Sequence, residues 1–179
     1  MIIEKGKYNF IDMFAGCGGM TEGFLQSKSF NHIAAVEWKK SQATTLQKRM
    51  MHYFGDDNDT QNVLHFDIQR TDELLQGWED SDDYSANPGL LQLIGDTKID
   101  IVIGGPPCQA YSIAGRVRDE HGMRNDYRNF LFESYLKVIN IIKPKIVVFE
   151  NVTGMLSAAP TGEPVLNLIT QEFLNNGYI

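Results

Sequence analysis

Short apolar runs alternate with segments of helical spacing along this chain. Residues 10–14 (Phe-Ile-Asp-Met-Phe) predict a buried strand, and residues 20–27 predict a helix after a glycine turn. A second strand is expected at 33–37, a helix at 40–51 and a short third strand at 63–66. The fourth strand is 99–103 (Ile-Asp-Ile-Val-Ile). Apolar side chains at Phe130, Leu131, Tyr135, Val138, Ile141 and Ile142 place a helix over 129–142. Lys143-Pro144-Lys145 stops it, because proline cannot continue a helix. Residues 146–149 predict a fifth strand and 165–175 a last helix, which Asn176-Gly177 ends.

Strands alternating with helices imply an α/β fold, a mostly parallel sheet with helices on both faces and right-handed crossovers. The 179 residues suffice for one domain with a sizeable core. Residues 76–97 break the rhythm. They are acid-rich, contain Asn87-Pro88-Gly89 and are expected to be a surface insertion, part of it mobile. Tyr178-Ile179 reads as the start of a further strand, so the chain is expected to be a fragment or a truncated product. There is no internal repeat and no low-complexity tract.

Composition narrows the classes. Hydrophobic residues make up 42% of the chain, yet none of the apolar runs reaches the roughly 18 residues of a membrane span. The opening Met1-Ile2-Ile3-Glu4-Lys5 lacks the layout of a secretory signal. Cys17 and Cys108 sit in separate glycine-rich loops, which points to a reducing cytoplasm and not to a disulfide scaffold. The net charge of −7 counts against a nucleic-acid partner. The acid gathers, however, at Asp72-Glu73 and Glu79-Asp80-Ser81-Asp82-Asp83. Arg116, Arg118, Arg124 and Arg128 form a local basic stretch that can face DNA on an acidic domain.

Three loops carry candidate chemistry. Gly16, Gly18 and Gly19 lie between a strand and a helix, where glycines allow a tight turn and close approach to a ligand. The loop lacks the third glycine of the dinucleotide fingerprint and the Gly-Lys-Ser/Thr of a phosphate loop. Glu37 ends the second strand, placed to take both ribose hydroxyls of a nucleoside, and Asp67 ends the third, placed to accept from an adenine amino group. Taken singly, the loop reads as a structural turn and each acid as a solvated strand end. Taken together they fit S-adenosylmethionine better than NAD. The second loop is Gly104-Gly105-Pro106-Pro107-Cys108-Gln109, a rigid mount for a thiol nucleophile, although a lone cysteine is more often an inert buried thiol. The third is Glu150-Asn151 after the fifth strand. Ligands of open parallel sheets bind at the carboxyl ends of strands near the switch in strand order, so all three loops are expected on one rim.

In this order, Phe10-Ile11-Asp12-Met13-Phe14-Ala15-Gly16-Cys17-Gly18-Gly19, the Pro106-Pro107-Cys108 segment and Val147-Val148-Phe149-Glu150-Asn151-Val152 resemble the cytosine-5 DNA methyltransferase family, bacterial restriction–modification type. The resemblance implies a Rossmann-like S-adenosylmethionine-dependent fold, C-terminally incomplete. It also implies that Phe14, Ala15, Gly16, Cys17, Gly18 and Gly19 hold the methionine part of the cofactor. Glu37 then holds the ribose and Trp38 lies against the adenine, which Asp67 and Ile68 also contact. Leu131 and Pro106 belong to the same cofactor set. Cys108 is the implied nucleophile at C6 of a flipped-out cytosine, and Glu150 the acid near N3 if burial raises its pKa. Gln109, Ser112 and Arg116 fall in the loop that closes over double-stranded DNA. No metal is implied.

The resemblance spans residues 10–152. Complete members add a Gln-x-Arg-x-Arg segment, a target-recognition domain and a late helix that finishes the cofactor pocket. This chain, the N-terminal part of the catalytic domain, is therefore expected to bind DNA weakly and turn over poorly or not at all. A cognate restriction endonuclease is an expected partner, and a membrane is not. An RNA cytosine-5 methyltransferase acting on transfer RNA stays open, as does a non-catalytic S-adenosylmethionine-binding module. An NAD oxidoreductase is disfavoured by the glycine spacing and the Pro-Pro-Cys segment.

Overall fold

The computed structural model of the protein describes residues 6–54, 62–106, 130–151 and 164–179. Five strands form one parallel sheet: β1 (Tyr8–Met13), β2 (Phe30–Glu37), β3 (Val63–His65), β4 (Ile101–Gly104) and β5 (Ile146–Phe149). Their order is β3-β2-β1-β4-β5. The chain steps outward from β1 to β3, then returns to the far side of β1 for β4. Strand order therefore reverses between β1 and β4, which is where an open sheet leaves a crevice.

Right-handed crossovers put the helices of the two directions on opposite faces. Helices α1 (Gly19–Gln26) and α2 (Lys40–Phe54) cover one face. Helices α3 (Thr71–Gln76), α4 (Leu90–Ile94) and α5 (Phe130–Ile142) cover the other. Alternation along β1 feeds both. Ile11 and Met13 join the main core with Leu74, Leu90, Tyr135 and Val138. Phe10 points the opposite way, against Phe24 of α1 and Ile101 and Ile103 of β4. Helix α2 lays Ala43, Leu46 and Met50 on Ala35 and Val63, a stripe at helical spacing. Arg49 of α2 pairs with Glu22 of α1 at the surface. Helix α6 (Val165–Asn175) packs Phe173 against Phe132 and Phe149.

The expected α/β class and all five strands are present. Three expectations need correction. Residues 76–97 are not a loose surface insertion. Leu90 is fully buried, and Trp78 and Ile94 are each 9% exposed in the main core. Reciprocal backbone bonds, Trp78 N–H to Asn87 O (2.9 Å) and Asn87 N–H to Trp78 O (3.0 Å), close the loop. Only the acid-rich tip, from Glu79 to Asp83, is exposed. The acids drew attention to this stretch, but the apolar residues between them decide its packing. Second, Tyr178 does not begin a strand. Its hydroxyl donates to Pro144 O at 3.0 Å, and its ring meets Phe173 edge-on. Third, β5 is half open. Val147 and Phe149 pack inward, but Ile146 is 52% and Val148 36% exposed. Among the described residues β5 is an edge strand, and α1 reaches only as far as Ile101 and Ile103. No described helix is long and apolar enough to cross a membrane.

The approach of β1 to the end of β4 depends on a missing side chain. A Cβ at Gly104 would lie 2.5 Å from Met13 O and 3.1 Å from the Tyr135 ring. Neither neighbour can retreat, since one is strand backbone and the other a fully buried ring. Gly104→Ala is expected to lower stability by about 1–3 kcal/mol, the usual range for overpacking. Urea unfolding monitored by circular dichroism checks this, and an unchanged midpoint would contradict it.

Candidate functional site

The β1–α1 loop turns sharply out of the sheet. The backbone is left-handed at Phe14 (φ 65°), Gly16 (58°) and Gly18 (87°). For Phe14 this costs roughly 1–3 kcal/mol, and such strain survives only where its surroundings dictate it. Here they do. Ala15 N–H still donates to Val36 O (3.0 Å), and Gly18 N–H folds back onto Ala15 O (2.8 Å). The next amide, Gly16 N–H, donates to Glu37 Oε2 at 2.9 Å. Glu37 Oε1 accepts from Lys39 N–H at 2.7 Å. This buried carboxylate is thus held by one amide from each of two loops. A carboxylate offers about four lone-pair sites, so about two remain for a ligand.

These residues line a cavity of about 240 Å³ at the carboxyl edge of the sheet. Of the residues singled out from sequence, Phe14, Gly16, Glu37, Trp38, Asp67, Ile68 and Leu131 all line it. Trp38 is 49% exposed at its edge, a ring with a free face. Asp67 Oδ1 accepts from Gln69 N–H at 3.0 Å, which fixes its turn. Ala15, Cys17, Gly18 and Gly19 belong to the loop but do not line the cavity. Cys17 is exposed and Ala15 nearly buried. Val36, Lys39, Gln42, Phe66, Gln69 and Gly105 also line it. Sequence reasoning missed them, although Phe66 and Gln69 flank the Asp67-Ile68 pair.

The other half of the rim follows β4 and β5. Gly105 lines the cavity, and Pro106 beside it is buried. Glu150 N–H donates to Gly104 O (2.9 Å), continuing the β4–β5 ladder one step past the strands. The Glu150 carboxylate folds over Gly105, where a Cβ would collide with Oε2 and lie 3.1 Å from Glu150 O. Gly105 therefore touches the cavity on one side and Glu150 on the other. Glu150 is exposed, so the burial expected for it is not present among the described residues. Cys108, Gln109, Ser112 and Arg116 lie outside the described residues. The expected rim is present for the loops after β1, β4 and β5, because these strands are neighbours.

One titratable group went unremarked. Asp12 is fully buried in β1. Its Oδ2 accepts from Thr21 Oγ1 at 2.5 Å, tying β1 to α1. Its Oδ1 has no hydrogen-bond partner among the described residues. Burial pushes its pKa up to about 7. The Glu37 charge adds to this, and the hydrogen bonds from Thr21 oppose it. The signal was visible as an acid in the middle of an apolar strand run.

A model of the C-5 cytosine-specific DNA methylase family matches residues 8–179. The type II methyltransferase M.DdeI of Desulfomicrobium norvegicum is 34% identical over 171 residues, which cover 95% of this chain and 34% of that protein. The type II methyltransferase M.Bpa9945I of Bacillus paralicheniformis is 32% identical, over 83% of this chain and 41% of that one. The chain thus spans between a third and two fifths of the length of these relatives. Among solved structures, a DNMT2 variant from Spodoptera frugiperda superposes with a TM-score of 0.58 at 20% identity. It covers 97% of this chain and 42% of that one, and it bears on the fold alone.

Asp12 makes a pH-dependent contribution to stability. Its folded-state pKa lies above the ordinary 3.8, so the folded protein holds the proton more tightly than the unfolded chain. That contribution is fullest below about pH 4 and is lost as pH rises to about 7, at no more than about 1.4 kcal/mol per unit. Asp12→Asn is expected to gain stability relative to the parent at pH 8 compared with pH 5. Unfolding midpoints of both proteins at the two pH values test this, and parallel pH profiles would contradict it.

Proposed function

The chain belongs to the C-5 cytosine-specific DNA methylase family, and we propose that it is the cofactor-binding and nucleophile-bearing part of a DNA (cytosine-5)-methyltransferase from a restriction–modification system. One observation carries the reading. A single cavity holds Gly16, Glu37, Trp38 and Asp67 and runs into Gly105, against which Glu150 lies. Target recognition and full turnover belong to parts of the relatives that this chain does not match.

The cavity suits S-adenosylmethionine. Glu37 keeps lone pairs for two ribose hydroxyls after satisfying two backbone amides. The open face of Trp38 offers an adenine a stacking surface, with Asp67 at its amino edge. The strained Phe14–Gly16 turn leaves room for the amino-acid end. When bound, the cofactor supplies an electrophilic methyl group on a sulfonium sulfur.

The chain's own residues prepare the base. Cytosine C5 is too weak a nucleophile unaided. The Cys108 thiolate adds to C6, and electron density moves through the ring to C5. Glu150, in its protonated form, donates to N3 and disperses the charge that develops there. Closing DNA over the rim removes water from Glu150, which favours that form. Loss of the C5 proton and departure of the Cys108 thiolate restore the aromatic ring as 5-methylcytosine. Gln109, Ser112 and Arg116 follow the nucleophile in sequence and carry donors for the phosphates of a duplex with one base flipped out. A restriction endonuclease with the same recognition site is the natural companion of such an enzyme, and the cytoplasm its place.

The test is methyl transfer from labelled S-adenosylmethionine to duplex DNA, digested to nucleosides. Label is expected in 5-methylcytosine and falls to background with Cys108→Ser. Glu37→Ala is expected to weaken cofactor binding about tenfold or more, roughly 1.4 kcal/mol. Label in transfer RNA and none in DNA would overturn the DNA reading. Cofactor binding with no transfer to either, even when relatives' missing segments are supplied, would leave a binding module.

A further inference from the structure

The acid-rich loop between α3 and α4 reaches the cavity through one residue. Tyr84, half-buried, sits on this loop and packs against the end of β3. Its ring centroid lies 4.8 Å from that of Phe66 and 5.0 Å from that of His65. The Arg70 guanidinium, paired with Glu73, lies over both the Phe66 ring (4.8 Å) and the Tyr84 ring (5.5 Å). On its other side Phe66 stacks on Trp78 at 3.9 Å. Trp78, Phe66, Tyr84 and Arg70 thus form one layered stack that anchors the loop. Two members of this neighbourhood, Phe66 and Trp38, line the cavity. A side-chain hydrogen bond from the Trp38 indole N–H reaches the Tyr84 hydroxyl.

We propose that Tyr84 is a positioning residue for the nucleoside end of the cofactor, setting the angle of the Trp38 ring across the cavity from Phe66. The proposal rests on the cofactor reading above and deepens it. Trp38 sits just beyond β2, where its exposed ring has little packing to fix its angle. An unanchored ring must be ordered when a ligand binds, and that ordering weakens affinity. The Tyr84 hydroxyl supplies the anchor from a loop that the stacked aromatics hold still. Asp67 lies near the same hydroxyl, and its charge, after burial, also opposes ionisation of Tyr84. The hydroxyl therefore stays neutral at physiological pH and keeps a proton to donate in turn.

The experiment uses the 179-residue chain, S-adenosylhomocysteine as the probe, and Tyr84→Phe, which keeps the ring stack and removes only the hydroxyl. The expected result is binding about three- to tenfold weaker, the loss of one neutral hydrogen bond, with an unchanged unfolding midpoint. The indole N–H resonances give an internal control. That of Trp38 should move in Tyr84→Phe. That of Trp78, which donates to Ser85 O at 2.7 Å, should not. Equal affinity with an unmoved Trp38 resonance would overturn the proposal while leaving the cofactor reading intact. Failure of the parent chain to bind the probe would overturn both.

Discussion

The Glu37 carboxylate is the constraint on which the site depends. It is buried at the end of β2, and a buried carboxylate without partners is costly. Its partners are two backbone amides, Gly16 on the β1–α1 loop and Lys39 ahead of α2. Satisfying the charge therefore fixes the path of both loops at once. The left-handed turn at Phe14 follows, because the chain must leave β1 and still deliver the Gly16 amide to Glu37. The price of that strain is met by charge-assisted hydrogen bonds, which are among the stronger kinds. What is left over is a carboxylate with spare acceptor sites facing an open cavity.

Sheet order does the rest. Because β4 lies beside β1, and β5 beside β4, the loops after all three strands share an edge. Gly105 is the hinge between the two halves of that edge. It lines the cavity and leaves the space that the Glu150 carboxylate occupies. A side chain there would separate the cofactor side from the base side. The acid-rich loop adds a third wall, with Trp78 and Tyr84 stacked on Phe66 at the end of β3.

Much of this was legible in the residues. The five apolar runs became five strands because each is short, bounded by turns and buried on both faces or nearly so. Seven residues chosen for their motifs line one cavity because strand ends converge wherever β1, β2 and β3 are neighbours. The rest was hidden for physical reasons. The packing of 76–97 depends on Trp78 and Leu90 finding a core that is distant in sequence, whereas its acids are conspicuous locally. The half-open state of β5 depends on which helix reaches it, and periodicity carries no such information. Asp12 was passed over because a strand pattern treats an acid as an interruption. Its meaning lies in Thr21 on the following helix.

The most direct test of the central claim is amide chemical-shift mapping of the chain titrated with S-adenosylhomocysteine. The account predicts that the Gly16 and Lys39 amides, which share the Glu37 carboxylate, move together and saturate at one concentration, with the Trp38 indole following. Shifts confined to other surfaces, or none at these amides at saturating ligand, would show that the Glu37 cradle does not hold the nucleoside.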